Sequence, residues 1–121
     1  INFYPFLYQF IMHNQPVVEQ YTIEGDSFLP EHIPLLQKEF HLRACFLGLS
    51  YLDPYILLNN PSRNNWIRHL SHEQLVKLCN WIIQVSSYLE QECKKHNVAY
   101  FDLAKNYKED IEKVYKFLLR E

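Results

Sequence analysis

Leu42-Arg43-Ala44-Cys45-Phe46-Leu47-Gly48 is a nearly continuous apolar run, and it stops at one of only two glycines in the chain. Such a run, with Arg43 as its one charge, predicts a strand that is buried on both faces of a parallel sheet. A second run, Val98-Ala99-Tyr100-Phe101-Asp102-Leu103, predicts another strand. Because a long helical pattern separates the two, we expect an α/β fold with a parallel sheet covered on both faces.

The segment between the two strands predicts one long helix, from residue 72 to residue 96. Ser71 and Gln74 form a capping-box pattern at its start. At 1.5 Å per residue the helix is roughly 37 Å long. One stripe of this helix is apolar and predicts the side that packs on the sheet; it comprises Leu75, Leu78, Cys79, Ile82, Val85, Leu89 and Cys93.

The amino-terminal third predicts a helix, a strand and a second helix. Residues 2–14 have a helical apolar pattern, whose predicted buried face is Phe3, Phe6, Leu7, Phe10 and Ile11. Gln20 to Glu24 is a short β-prone run that ends at Gly25-Asp26. The second helix opens near Pro30 and holds Ile33, Leu35, Leu36 and Phe40.

Two more helices and a polar loop complete the predicted order. Residues 53–58 favour a short helix that starts at Asp53-Pro54, and residues 59–65 are the most turn-rich stretch. This stretch predicts a mobile loop. Asn106 and Glu109 predict the start of a final helix; its shared face is Ile111, Val114, Tyr115 and Leu118.

The amino-acid composition indicates a single folded domain and bears on its possible partners and location. A chain of 121 residues with 48% hydrophobic and 16% aromatic residues predicts a single domain, 1–121, with a real core. Its net charge of −2 gives no basic footprint for nucleic acid or an anionic membrane surface. No apolar run is long enough to span a bilayer, and the chain shows no secretory signal pattern, so we expect a cytoplasmic location.

The cysteines and histidines do not predict a metal site. Cys45, Cys79 and Cys93 form no CxxC pair, and the last two fall on the apolar helix stripe, where a thiol is buried and inert. The six histidines have no HxH or HExxH spacing. We expect the cysteines to be core packing residues.

Several phrases taken together carry a family resemblance. They are Tyr21-Thr22-Ile23-Glu24-Gly25-Asp26 with Leu29-Pro30, Arg43 to Ser50, Trp66-Ile67-Arg68, the long helix, and Tyr100-Phe101-Asp102. The series resembles the later half of small P-loop kinases of the adenylate kinase and shikimate kinase type, from the third core strand to the last helix. The resemblance implies a three-layer αβα fold with a parallel sheet that lacks its first strands.

The same resemblance implies a nucleoside triphosphate-binding, kinase-like domain with ATP and Mg²⁺ as cofactors. Glu24 or Asp26 would be linked to substrate or magnesium, and Arg63 and Arg68, in a lid-like loop at about 59–70, would clamp the phosphates as catalytic residues. Positioning and charge neutralisation are what phosphoryl transfer needs most, and guanidinium groups supply both. The resemblance also implies cofactor-binding roles, which would fall to Trp66 and Asp102.

One part of the family pattern is missing. The chain has no G-x-x-x-x-G-K-[ST] motif, so it lacks the backbone cradle and the lysine that hold the phosphates, and we expect it to be inactive by itself. In the family the first strand lies between the third and the fourth, so a chain without it has a gap in its sheet. We expect that a preceding segment was removed or unobserved, or that another chain, such as a second copy, supplies it.

Simpler interpretations stand beside each functional one. Glu24 and Asp26 fit equally well as caps of the helix near Pro30. The arginines also fit as solvated loop charges, Trp66 as a loop anchor, and Asp102 as the cap of the next turn. For the whole chain the alternative function is a non-catalytic protein-interaction module with a degenerate P-loop fold. The phosphoryl acceptor stays open.

Overall fold

The computed structural model describes residues 3–14, 22–59 and 65–119. Its helices and strands, in chain order, are α1 (Tyr4–Asn14), α2 (His32–Gln37), β1 (Cys45–Gly48), α3 (Pro54–Asn59), a 3₁₀ helix (Asn65–His69), α4 (His72–His96), β2 (Ala99–Asp102) and α5 (Tyr107–Leu118). The mixed helix and strand composition confirms the broad α/β prediction.

Within the described residues, β1 and β2 form a two-stranded parallel sheet, with Cys45 opposite Ala99 and Gly48 opposite Asp102. Helix α4 packs on this sheet, and Gly48 lies next to Ser86 of that helix. On β2, Tyr100 reaches the Gly48 side, whereas the ring of Phe101 contacts the ring of Phe117 on α5 at 5.7 Å. Because successive strand residues point to opposite faces, α4 and α5 cover opposite faces of the sheet.

The long helix follows its sequence signals at both ends. The Ser71 hydroxyl accepts a hydrogen bond from Gln74 N at 3.1 Å, and Ser71 N donates to Gln74 Oε1 at 2.9 Å, so the predicted capping box is confirmed. At the other end Asn97 adopts φ 58°, a left-handed conformation that asparagine tolerates. Val98 N then donates to Cys93 O at 2.8 Å, and the chain turns into β2.

The predicted strand at Gln20 to Glu24 is wrong where the structure describes it. Thr22 to Glu24 have no regular secondary structure, and Gly25 ends no strand; Gln20 and Tyr21 lie outside the described residues. A strand is stabilised by its neighbours' hydrogen bonds and side chains, and the described sheet offers none to this segment. β-propensity alone was therefore not enough.

The helices of the amino-terminal third pack against each other. Leu7 and Ile11 of α1 join Leu36 of α2 and Phe40 in one buried cluster. The prediction that Phe6 and Phe10 share this buried face is wrong, because 65% and 51% of their surfaces are exposed. The packed side of α1 is formed by Leu7 and Ile11, which directly follow these two phenylalanines.

Burial corrects three further expectations. Leu47 is 43% exposed, so β1 is not buried on both faces. Tyr115 is 62% exposed, although Val114 beside it is buried as expected. Leu35 is also exposed, whereas Ile33 and Leu36 on the same short helix are buried.

Candidate functional site at the carboxyl ends of the strands

The carboxyl ends of β1 and β2 meet at one edge of the sheet. Gly48 and Asp102 are register partners there, and Leu103 N donates to Gly48 O at 2.9 Å as the chain leaves β2. Ligands of open α/β sheets bind outside the carboxyl ends of strands. This edge is therefore the candidate site, and its walls are the segments that follow the two strands.

Asp102 holds the segment that leaves β1. Its Oδ1 accepts hydrogen bonds from Ser50 N at 3.0 Å and from Ala104 N at 3.1 Å. Burial alone would raise the pKa of the Asp102 carboxyl, but the hydrogen bonds from Ser50 and Ala104, with the charge of Lys105, outweigh it and lower the pKa. Asp102 is thus an ionised turn cap, as the simpler interpretation predicted, and it ties the exits of both strands together.

Asp53 and Tyr51 follow β1 at the same edge. The carboxylate of Asp53 accepts from Tyr55 N at 2.9 Å and caps the start of α3, which confirms the predicted cap. Tyr51 is 64% exposed. At this edge the Tyr51 side chain is exposed, and the Oδ1 atoms of Asp53 and Asp102 accept hydrogen bonds from backbone N–H groups.

The lid-like segment is described only in part. Arg68 and Trp66 lie on the 3₁₀ helix, both exposed, between α3 and α4, whereas Arg63 lies outside the described residues. In the part of the chain that the structure describes, Arg68 forms no ion pair. Trp66, half exposed, does not bury itself as a loop anchor would. Among the described residues, the exposed Arg68 guanidinium has no carboxylate partner.

The two remaining candidates, Glu24 and Asp26, are separated from the strands. Both are exposed in an irregular segment, and Asp26 Oδ1 accepts only a hydrogen bond from Ser27 Oγ at 3.3 Å. The first turn of α2 begins at His32, and its N-cap, Glu31, makes no side-chain cap. The prediction that these acids cap the second helix is therefore wrong, and their strand-edge position is not formed.

The cysteines are packing residues, as predicted for Cys79 and Cys93, both of which are buried. Burial raises the pKa of the Cys93 thiol to about 11, and it also raises the pKa of Cys45. Thiolate is the reactive form, so these groups are poor nucleophiles. In the described ranges no three His, Cys, Asp or Glu side chains come together as metal ligands.

The backbone conformation of the two glycines shows whether the described residues can bind the phosphates of a nucleotide. A phosphate cradle built from backbone N–H groups needs left-handed positions, and neither Gly25 nor Gly48 has a positive φ. The first two N–H groups after β1 are taken by Ser86 and Asp102. These residues do not by themselves fit the phosphates of ATP.

A cavity of about 330 Å³ lies at the other end of the sheet, away from this edge. It is lined by Ile33, Gln37, Arg43, Ala44, Asn97, Val98, Ala99 and Phe117. Arg43 is already engaged there, because its Nη1 donates to Phe117 O at 3.0 Å and its guanidinium stacks on the Phe117 ring. The guanidinium therefore joins the segment before β1 to the end of α5.

Sequence reasoning missed Ser86 and Tyr100. Ser86 is buried next to Gly48. Its sequence signal was its position four residues after Ile82 of the apolar stripe, but the predicted stripe included Val85 at this turn and not Ser86. Tyr100 was assigned to a strand without a side-chain role.

No protein-family model, curated protein or solved structure matches this chain. None of the helices in ranges 3–14, 22–59 and 65–119 is both long and apolar enough to cross a membrane.

Proposed function

We propose that this chain is the lid and acceptor half of a nucleoside triphosphate-binding, P-loop kinase-like domain, which transfers a phosphoryl group once its phosphate-binding loop is supplied by a segment outside these 121 residues. ATP and Mg²⁺ are the proposed cofactors. The resemblance of the sequence phrases is the starting point, and one structural observation carries the proposal further.

That observation is the free edge of β1. In a parallel ladder the residues of a strand alternate in the side to which they direct N–H and C=O. Gly48 O accepts from the N–H of Leu103, the residue after β2, so Cys45 and Leu47 direct their backbone groups to the opposite side. The described sheet has no strand there.

A missing strand beside β1 accounts for two features at once. The resemblance places the family's first strand between the third and the fourth, which is the free side of β1. The resemblance expects the third strand at Thr22 to Gly25, and the missing first strand would be its partner as well. This segment is irregular, as expected for a strand without a partner. Leu47, exposed on the α5 face, would gain a neighbour from the added strand.

The lid role falls to the 3₁₀ helix and the loop before it. An exposed guanidinium on a short element can neutralise phosphate charge without contributing to the fold. Arg68 meets this description, and Arg63 stays a prediction. Asp102 Oδ1 already accepts hydrogen bonds from Ser50 N and Ala104 N. Its proposed role towards the ligand is therefore to position these two segments.

Calorimetric titration with Mg²⁺-ATP tests the proposal. We expect no binding by the 121-residue chain and binding by a longer version that includes the segment encoded before Ile1. In that version Arg68→Ala should weaken binding by about tenfold, as expected for a lost charge-assisted hydrogen bond. Lys108→Ala, which removes an exposed cation on α5, is the matched control and should bind normally.

The second candidate is a non-catalytic interaction module, which the exposed side of α1 favours. Phe6, Phe10 and Met12 are exposed on a helix that contains no Asp, Glu, Lys or Arg. Large aromatic side chains at the surface are typical of protein interfaces. Failure of the longer version to bind Mg²⁺-ATP would favour this function.

A further inference from the structure

The side of α4 that faces away from the sheet carries two large aromatic side chains. Trp81 is 61% exposed and Tyr88 is 59% exposed, and both lie in the middle of a helix of 25 residues. Single apolar residues are common on protein surfaces, but aromatic residues are enriched where proteins contact one another. Two of them on the same side of one helix therefore point to a contact surface.

The two aromatic residues belong to one exposed stripe, which we call the outer stripe of α4. Its members follow one another in steps of four and three residues, so they lie along one side of the helix. They are Lys77, Trp81, Gln84, Tyr88, Gln91 and Lys95, and all of them are exposed. This spacing is that of the seam along which two helices pack in a coiled coil.

The charges along α4 fit a second copy of the same helix that runs in the opposite direction. The first turn of α4 contains Glu73, and the last turn is basic, with Lys94, Lys95 and His96. When Trp81 lies opposite Tyr88 of the second copy, residue numbers place Glu73 within one position of Lys95 of the second copy. The acidic start of each helix then meets the basic end of the other.

A parallel pair would not fit this stripe. Each residue would lie opposite its own copy, so Lys77 would face Lys77 and Lys95 would face Lys95. Like charges repel, and parallel helices also bring like ends of their dipoles together. Glu73 already lies 3.5 Å from Lys77 of its own helix, but this exposed pair contributes little and does not prevent a second contact.

We propose that the outer stripe of α4 is a self-association surface, on which a second copy of this chain packs its own α4 in the antiparallel direction. The contact is symmetric, with Trp81 and Tyr88 at its centre and the charged residues at its rim. Two single helix faces form a small interface compared with the usual area of about 1,600 Å², so we expect a weak dimer that depends on protein concentration. The inference does not depend on nucleotide binding.

Sedimentation equilibrium of the full-length protein over a range of concentrations tests the surface. The wild type should change from monomer to dimer as its concentration rises. Combining Trp81→Ala with Tyr88→Ala should weaken association by about a hundredfold, because each substitution acts twice in a symmetric dimer. The matched control is Tyr115→Ala, which removes an equally exposed aromatic side chain from α5 and should leave the dimer unchanged.

Charge reversal tests the antiparallel direction. Glu73→Lys places two lysines opposite each other in a dimer of that variant, and Lys95→Glu places two glutamates there. Each variant alone should dimerise about fivefold more weakly than the wild type, since two exposed ion pairs are lost. A mixture of the two variants restores opposite charges at both ends, so it should form a mixed dimer with an affinity close to that of the wild type.

Each result decides for or against the proposal. A wild type that stays monomeric at every concentration overturns it. A dimer that persists without Trp81 and Tyr88 also overturns it, and would place the contact elsewhere, for example on the exposed phenylalanines of α1. Charge variants that pair no better in mixture than alone overturn the antiparallel arrangement. Because Mg²⁺-ATP takes no part in these measurements, their failure is separate from failure of the proposed function.

Discussion

At the candidate site, Asp102 acts as a charged hydrogen-bond acceptor. It accepts backbone hydrogen bonds from both strand exits, and its pKa is lowered because those bonds favour the ionised form. A lowered carboxyl pKa stabilises the fold at every pH above the unfolded value of about 3.9. That stabilisation is lost as the pH falls below this value and through the folded pKa.

Asp102→Asn keeps an acceptor oxygen but removes the charge. We expect the wild type to lose stability relative to Asp102→Asn as the pH falls from about 5 to about 3, since only the wild type must take up a proton there. Urea unfolding at several pH values measures this difference. A gap between the two proteins that stays constant over this range would show that the charge does not stabilise the folded state.

Of the two glycines, Gly48 has less room for a side chain. Gly48→Ala should reduce the free energy of unfolding by about 1–3 kcal/mol, the usual cost of overpacking, because the new methyl group meets Tyr100 and Ser86. Gly25→Ala is the control, since its nearest neighbour is the half-buried ring of Phe28 in an irregular segment. Equal unfolding curves for wild type and Gly48→Ala would refute the close packing under β1.

At the scale of the element, α4 shows which features a sequence determines locally. Both its ends were predictable, because Ser71 and Gln74 cap each other and His96 is followed by an asparagine that can turn left-handed. Its packing stripe was predictable from periodicity except at Ser86, whose hydroxyl was not recognised as core. These signals lie within a few residues of one another.

The segment Thr22 to Glu24 shows what a local signal does not determine. Its β-branched residues favour an extended chain, but a strand also needs a partner that lies far away in the sequence. The same limit applies to β1, because the sequence did not show that Leu47 is exposed. For the site, Asp102 and Asp53 were placed correctly as caps, whereas Glu24 and Asp26 depended on the strand that did not form.

Ser71→Ala tests the local account of α4. We expect a loss of about 1 kcal/mol in the free energy of unfolding, because the N–H of Gln74 loses its acceptor in the capping box. Ser87→Ala, an exposed mid-helix position, should be neutral or slightly stabilising. Chemical denaturation of the two variants provides the comparison, and similar losses in both would indicate that the cap contributes nothing specific.

At the scale of the whole molecule, the amino-terminal third has its own core. Leu36 is 1% exposed between α1 and α2, whereas Leu35 beside it is 45% exposed. Leu36→Ala should therefore cost about 2–5 kcal/mol of the free energy of unfolding, and Leu35→Ala well under half of that. If thermal denaturation shows equal losses, the packing of these two helices is not as described.

The central claim is that β1 is an inner strand of a larger parallel sheet, as the proposed kinase-like fold requires. Amide hydrogen exchange at Leu47 measures it most directly, because this N–H has no strand partner in the described sheet. We predict fast exchange in the 121-residue chain and strong protection in a longer version that carries the segment before Ile1. Equally fast exchange in both would contradict the claim, since it would mean that no strand completes the sheet.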